Sequence, residues 1–543
     1  MIGMGIGRTI DRRTFIGSAA GATSALVLPA RLPAQVQTGG AQASFATYNE
    51  KEMVADDTAW LDATAQAKLI RDGEVSPLEL VDAAILRIES LNPKLNAVIF
   101  ERFAAAREEA ANGSLGDGPL RGVPFLMKDS GQTVEGEPSS KGWKVLKEMN
   151  YRAPVTPYVA QKFINAGLVR LGQTTVPELG SSGVSVESVA WGVTRNPWDA
   201  TRVSGASSGG AGVAVASGMV PIAHGNDTGG SIRIPAAYCG TVGLKPSRGR
   251  TSPGPLSGEP NAGSHEEGVL TRTVRDTALA LDAIAGNMPG DLFHAPAPVR
   301  PYSEEVGIDP GRLRMGFLGR AASGLAPFTK DAEAALSRTL SLLTSLGHDV
   351  QDSRPDFLDG ENLYRPWSKA IGCHMAIGYS ALEKMIGRNL TPEDMNPWAW
   401  RLFEDGRQTT VQEYIGYSDW RNGAMRNAAE WWEKGYDVLV TPTVSSVAPA
   451  IDEWQEGRDE ASFEDALKYD FNAMGLTFPW NATGQPAISL PLYVSPQGLP
   501  LGVMFVAAYG REDILLRLAA QIEQTAPWGD KRPLISAGAA DLR

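Results

Sequence analysis

Short continuous apolar runs alternate with amphipathic helical patterns along this chain, and that alternation places it in the α/β class before any single residue is considered. Ser76-Pro77-Leu78-Glu79 is a capping box with Pro at the first helical position, and Leu80, Ala84, Ile88 and Leu91 follow at helical spacing. Asn92-Pro93 is expected to stop that helix, with Leu95 to Phe100 a short strand. Gly122 to Met127 reads as a buried strand that delivers Lys128 and Asp129 to its end. A helix over Val159 to Ala166 and a strand over Gly167 to Gly172 continue the pattern. It returns with a helix that opens at Asp331, carries Leu336, Leu340 and Leu343 and closes at Gly347. Buried strands are expected at Val438 to Thr441 and Leu501 to Val506.

The 543 residues carry a formal charge of −12 and no basic patch, which argues against a nucleic-acid partner. Two cysteines, Cys239 and Cys373, cannot build a disulfide framework or a common zinc site, and spacing does not say whether they pair. The N-terminus is a piece apart. Arg12 and Arg13 precede Thr14-Phe15-Ile16 and a weakly apolar run rich in Ala, Gly and Ser as far as Ala30, an order that resembles a twin-arginine export signal. Leu32-Pro33-Ala34 and Ala41-Gln42-Ala43 both suit cleavage, the second better. Residues 1–43 are therefore expected to be a signal peptide, and 44–543 a domain exported to the periplasm or beyond. No other stretch approaches the ~20 apolar residues of a membrane span, so none is expected in the mature protein.

Residues 361–435 hold Trp367, Trp398, Trp400, Trp420, Trp431 and Trp432 with Tyr364, Tyr379, Tyr414 and Tyr417. The region is expected to be mostly helical. Its large side chains serve either helix packing or the wall of an apolar substrate pocket.

Gly205 to Gly209 spell GASSG, the spacing of a hydrolase nucleophile elbow. That motif needs a strand just upstream, whereas Asn196-Pro197-Trp198-Asp199 is turn-like. It also needs a later acid and histidine, and His265, His294, His348 and His374 stand in no marking motif. A phosphate cradle is excluded by the missing Lys-Ser/Thr. A second glycine-serine segment, His224 to Pro235, follows the apolar piece Val220 to Ala223 and could aim several backbone N–H groups at one point.

GVPFLMKD (122–129), SGASSGG (204–210) and DTGGSIR (227–233) together resemble the amidase signature family of serine amide hydrolases. The likeness extends through GEVSPLELVDAAILRIESLNPKLNAV, CGTVGLKPSRGRTSPGP, TGQPAISLPL and GLPLGVMFV, nearly the whole mature chain. Within the family, TRNPWD, HGND and KPSRGRTSPGP look most like hydrolases of cyclic nylon oligomers. The resemblance implies one large α/β domain, a central mixed β-sheet covered by helices on both faces.

It also implies a set of roles. Ser231 would be the nucleophile, and Ser207, preceded by a cis peptide, would relay its proton to Lys128. A lysine can accept that proton only when neutral, which burial favours. Backbone N–H groups of Thr228, Gly229, Gly230 and Ser231 would form the oxyanion hole, with Asp227 and Arg233 bracing the loop. Gly180, Ser181 and Ser182 would line the substrate pocket. No metal or organic cofactor is expected, and the partner is a small-molecule amide, such as an anilide, a carbamate or a linear or cyclic oligoamide. Ala206 departs from the family pattern, which has Gly there. Two other functions stay open at this point: a glutamine amidotransferase-type subunit of a complex, and a non-catalytic exported binding protein on the same scaffold.

Overall fold

Ser76 opens the first long helix of the computed structural model, which describes residues 57–321, 324–361 and 363–539. The arginine pair and both candidate cleavage sites lie outside these residues. The capping box forms as its spacing requires: Glu79 N donates to Ser76 Oγ at 3.2 Å and Ser76 N to Glu79 Oε2 at 2.7 Å. Pro93 does not end this helix, which runs Pro77–Leu95. The bond its missing N–H forfeits is to the carbonyl of Glu89, an exposed residue whose carbonyl water can serve. Asn92 instead launches the next segment, its Oδ1 accepting from Ala97 N and Val98 N, both at 2.8 Å. The strand expected over 95–100 contracts to Val98–Ile99.

The strands are β1 (Val98–Ile99), β2 (Pro124–Lys128), β3 (Val169–Thr174), β4 (Glu187–Ser188), β5 (Gly192–Val193), β6 (Ile222–Asp227), β7 (Val242–Lys245), β8 (Glu266–Thr271), β9 (Arg314–Phe317), β10 (Asp349–Gln351), β11 (Val438–Pro442), β12 (Ala487–Val494) and β13 (Pro500–Ala507). Eleven of them make one sheet in the order β1-β3-β2-β6-β8-β7-β12-β13-β11-β9-β10, and β4 with β5 makes a separate ribbon. The sheet is mixed: β3, β2 and β6 run parallel, as do β11, β9 and β10, with antiparallel pairing between these groups. Every residue of β2, β3, β6, β8, β11 and β13 is buried, so both faces are covered.

The aromatic-rich region is helical, with Tyr364–Ile386, Pro397–Arg407 and Val411–Glu433 its long helices. Cys239 and Cys373 are both free thiols. Among the described residues no helix is long and apolar enough to cross a membrane.

Candidate active site

Parallel neighbours β2 and β6 pair with Phe125 opposite Ile222 and Leu126 opposite Ala223, so their carboxyl ends meet at one edge of the sheet. Lys128 closes the first strand and the loop from Thr228 to Ile232 follows the second. His224, Gly225 and Asn226, expected in the loop, belong to β6, because pairing with β8 carries the strand on to Asp227.

Lys128 has no solvent exposure. Its Nζ donates to Ser207 Oγ at 2.8 Å and to Asn226 Oδ1 at 2.5 Å. Burial drives its pKa down to about 7, against the upward pull of the Glu267 and Asp227 charges. Near neutral pH, about half of this lysine is a free amine able to take a proton from the Ser207 hydroxyl beside it.

Ser207 follows a cis peptide bond from Ala206, as the resemblance implied. The Ala206 methyl is fully buried and its N–H donates to Gly183 O at 3.0 Å, so the extra carbon is accommodated without displacing the serine. Gly205 has a φ of 75°, and a Cβ there would lie 2.8 Å from Pro235 Cα. Only glycine permits this close approach to the segment after Ser231. The two serine loops are joined directly: Ser208 N donates to Ser231 O and Ser208 Oγ to Asn226 O, each at 3.2 Å.

Among the described residues, nothing accepts from the N–H groups of Thr228, Gly229, Gly230 or Ser231. Four consecutive donors left unpaired in a largely buried loop are the arrangement that stabilises an anionic oxygen. Gly230 makes it possible with a φ of 138°, and a Cβ there would collide with Thr477 Oγ1 and Ile234 Cδ1. The loop is braced beneath by a buried ion pair. Arg233 Nε and Nη2 donate to Asp227 Oδ2 and Oδ1 at 3.0 and 2.9 Å, and Nη2 also to Asn481 Oδ1 at 2.6 Å. Asn481 Nδ2 returns bonds to Asp227 O at 3.0 Å and Oδ1 at 2.8 Å. Burial is the largest single influence and would raise the Asp227 carboxyl, but the Arg233 charge together with the hydrogen bonds from Arg233 and Asn481 and the Lys245 charge holds the group well below the usual carboxylate range.

A second buried carboxylate organises the other side. Glu267 Oε2 meets His224 Nε2 at 2.8 Å, and Oε1 meets His265 Nε2 at 3.0 Å and Gln132 Nε2 at 2.9 Å. His224 Nδ1 accepts the backbone N–H of Lys128 at 3.2 Å, so its ring proton sits on Nε2 and goes to Glu267. His265 Nδ1 lies 3.0 Å from Thr228 Oγ1, which ties the same carboxylate to the N–H loop. Against the cost of burial, the two imidazoles hold Glu267 well below its ordinary range.

Ser207 and Ser231 open on one cavity of about 100 Å³, also lined by Gly180, Ser181, Ser182, Thr228 and Gly229. Its apolar wall includes Trp367, Trp398, Phe471 and Met474. Trp398 Nε1 donates to Ser181 O at 2.9 Å and so fastens the aromatic helices to this wall. Of the six tryptophans in the aromatic region only Trp367 and Trp398 reach the cavity; Trp431, for instance, stacks on Tyr436 at 4.3 Å between centroids. The region thus packs helices against one another and also contributes two side chains to the cavity wall. Asn226, Glu267, His224, His265, Asn481 and Asp470 are site residues that the sequence did not mark.

The amidase family profile matches residues 79–516, most of the chain. The chain belongs to the amidase signature family. It is an amidohydrolase, acting on carbon–nitrogen bonds other than peptide bonds. This amidase is 42% identical over 483 residues to 6-aminohexanoate-cyclic-dimer hydrolase of Paenarthrobacter ureafaciens, covering 87% of this chain and 96% of that protein. A solved structure of a 6-aminohexanoate cyclic dimer hydrolase complexed with substrate matches with a TM-score of 0.83 and 40% identity, covering 88% of this chain and 99% of that one. A bacterial aryl acylamidase of the same family matches with a TM-score of 0.78 and 26% identity, over 89% of this chain and 99% of that one.

Proposed function

We propose that this amidase cleaves its substrate through Ser231, with Ser207 and Lys128 as proton carriers and a covalent acyl-enzyme as intermediate. The observation that carries the reading is the buried Lys128 amine 2.8 Å from Ser207 Oγ, on a cavity that Ser231 shares. Neutral Lys128 takes the Ser207 proton as Ser207 takes that of Ser231, and Ser231 Oγ bonds to the carbonyl carbon. The carbonyl oxygen, now an anion, is held by the N–H groups of residues 228–231. The proton stored on Lys128 returns through Ser207 to the departing nitrogen, because an amine leaves poorly unless protonated. Water then enters, is deprotonated by the same pair and releases the acid. Asn226 orients Nζ, and Asp227 with Arg233 holds the donor loop in shape.

The apolar wall of Trp367, Trp398, Phe471 and Met474 supports amides with a bulky or extended carbon frame, among them anilides and linear or cyclic oligoamides. The likeness to the cyclic-dimer hydrolases supports the oligoamide end of that range. The test is labelling with a fluorophosphonate and mass spectrometry: the adduct is expected on Ser231, and Ser231→Ala should abolish both adduct and turnover. An adduct on Ser207, with Ser231→Ala still fully active, would overturn the assignment. A panel of amides compared by kcat/KM tests the substrate range, which fails if small aliphatic amides are turned over much better than aryl or oligomeric ones.

The order of Arg12-Arg13, Phe15 and the weakly apolar run supports export of the folded enzyme. Full-length chain expressed in a bacterium should be recovered from the periplasm with Ser44 as its first residue. Retention of an intact N-terminus in the cytoplasm would remove this part of the proposal.

A further inference from the structure

Asp470 is the one carboxyl group among the described residues that line the cavity, and no Lys or Arg stands on that wall with it. It sits on the helix Phe463–Met474, among Leu467, Phe471 and Met474, which line the same space. Only 2% of its surface is exposed. One oxygen is fully used: Oδ1 accepts from Ser182 Oγ at 3.1 Å and from Gly183 N at 3.2 Å. Oδ2 accepts nothing from the described residues. Ser181, 5% exposed and on the same wall, likewise has a buried hydroxyl oxygen with no partner. Burial pushes the Asp470 carboxyl up to about 7, restrained by the Gly183 and Ser182 bonds and by the Arg458 charge.

A role in pinning residues 182–183 needs only Oδ1, and an asparagine would fill it without burying an acid. A wholly apolar substrate would leave Oδ2 dry and unpaired, at the full desolvation cost of that atom. A substrate that brings a donor removes the cost. We infer that Asp470 is a specificity subsite for a second N–H group on the substrate, separate from the amide that is cut. The favoured substrates are then amides whose acyl or amine chain carries a further amide N–H or an ammonium, rather than plain alkyl or aryl amides. The inference rests on the reading that this cavity and Ser231 form the active centre.

The test uses p-nitroanilides of one acyl chain, over a series of chain lengths, ending in an ammonium, an acetamido group, an N-methylacetamido group or a methyl group. The first two offer an N–H donor and the last two do not. With the full enzyme, the acetamido substrate should exceed its N-methyl analogue by about ten- to a hundred-fold in kcat/KM at the best length, mainly through KM. The ammonium arm shows whether a charged donor serves as well as a neutral one. In Asp470→Asn the amide Oδ1 can keep both loop bonds while an N–H replaces the free oxygen, so the ratio between donor and non-donor substrates should collapse to about one or invert. Equal turnover of the acetamido and N-methyl substrates by the wild type at every length would overturn the inference, as would an Asp470→Asn enzyme slowed on all four with the ratio intact. The wild-type comparison stands even if the variant fails to fold. Absence of any Ser231 adduct and of any anilide turnover would instead sink the underlying reading of the active centre.

Discussion

Asn226→Asp exchanges one atom and places a carboxylate where Asn226 Oδ1 now lies, 2.5 Å from Lys128 Nζ. An opposite charge at contact stabilises the ammonium form and raises the lysine's titration midpoint by about 2 pH units, the middle of the usual range for such a pair. In the native enzyme burial leaves that midpoint at about 7. The proton acceptor is the neutral amine, so kcat/KM should rise with pH through about 7 in the wild type. In the variant the rising limb should move to alkaline pH by about 2 units. The neutral fraction at pH 7 then falls from about one half to about one hundredth, a loss of roughly fifty-fold that should be largely regained near pH 9.5. The exchange also removes the bond from Asn226 Nδ2 to Ser130 O, at a cost of about 1 kcal/mol in stability, which should not abolish folding. Asn226→Leu loses that bond and the contact with Lys128 Nζ without adding charge, and its limb should not move to alkaline pH. The assay is kcat/KM for an anilide across pH, with circular dichroism to confirm the fold. A limb at unchanged pH in Asn226→Asp, or activity that high pH does not restore, would refute the role given to Lys128.

Arg233→Met leaves Asp227 buried without its cation and should destabilise the protein by about 3–5 kcal/mol in chemical denaturation; it should also move the acid limb toward alkaline pH, as the freed carboxylate draws on Lys128. Gly230→Ala puts a methyl against Thr477 and a side chain on a backbone with a φ of 138°, so kcat should fall by about a hundred-fold or more through distortion of the donor loop, with near-native circular dichroism. Trp367→Ala should enlarge the cavity and raise the kcat/KM ratio of long oligoamides to short anilides, while costing about 3–5 kcal/mol in stability.

Lys128, Ser207 and Ser231 stood out only through the likeness of GVPFLMKD, SGASSGG and DTGGSIR to the amidase signature pattern; a lone Lys-Asp at a strand end or a serine in GASSG assigns no such role by itself. The helix at Ser76 and the buried strands were legible directly, since caps and apolar runs are local signals. Pro93 misled because its cost depends on whether the orphaned carbonyl faces water, which spacing does not reveal. Asn226 and Glu267 lay hidden because they come together only through the pairing of β6 with β8, where they stand opposite each other. In the sequence Glu267 is one of two adjacent acids after a histidine, a pattern that ordinarily marks a solvated surface. Asp470 was masked among Glu464 and Asp465 on a helix whose buried face appears only once Leu467, Phe471 and Met474 turn toward the cavity.

The register also resolves an electrostatic difficulty. Two buried carboxylates, Asp227 and Glu267, both pull on Lys128, and either would hold a neighbouring lysine protonated at neutral pH if it were otherwise unpaired. Neither is unpaired. Asp227 is neutralised by Arg233 and hydrogen-bonded by Asn481, and Glu267 is held between two imidazoles and Gln132. Both charges still pull the lysine's titration upward at Nζ, and desolvation, the larger effect, prevails over them. The two networks do structural work with the same contacts, Arg233 under the donor loop and His224 against the Lys128 backbone. A change in either should thus register twice, as lost stability and as a displaced acid limb. A residue that only packs would register once.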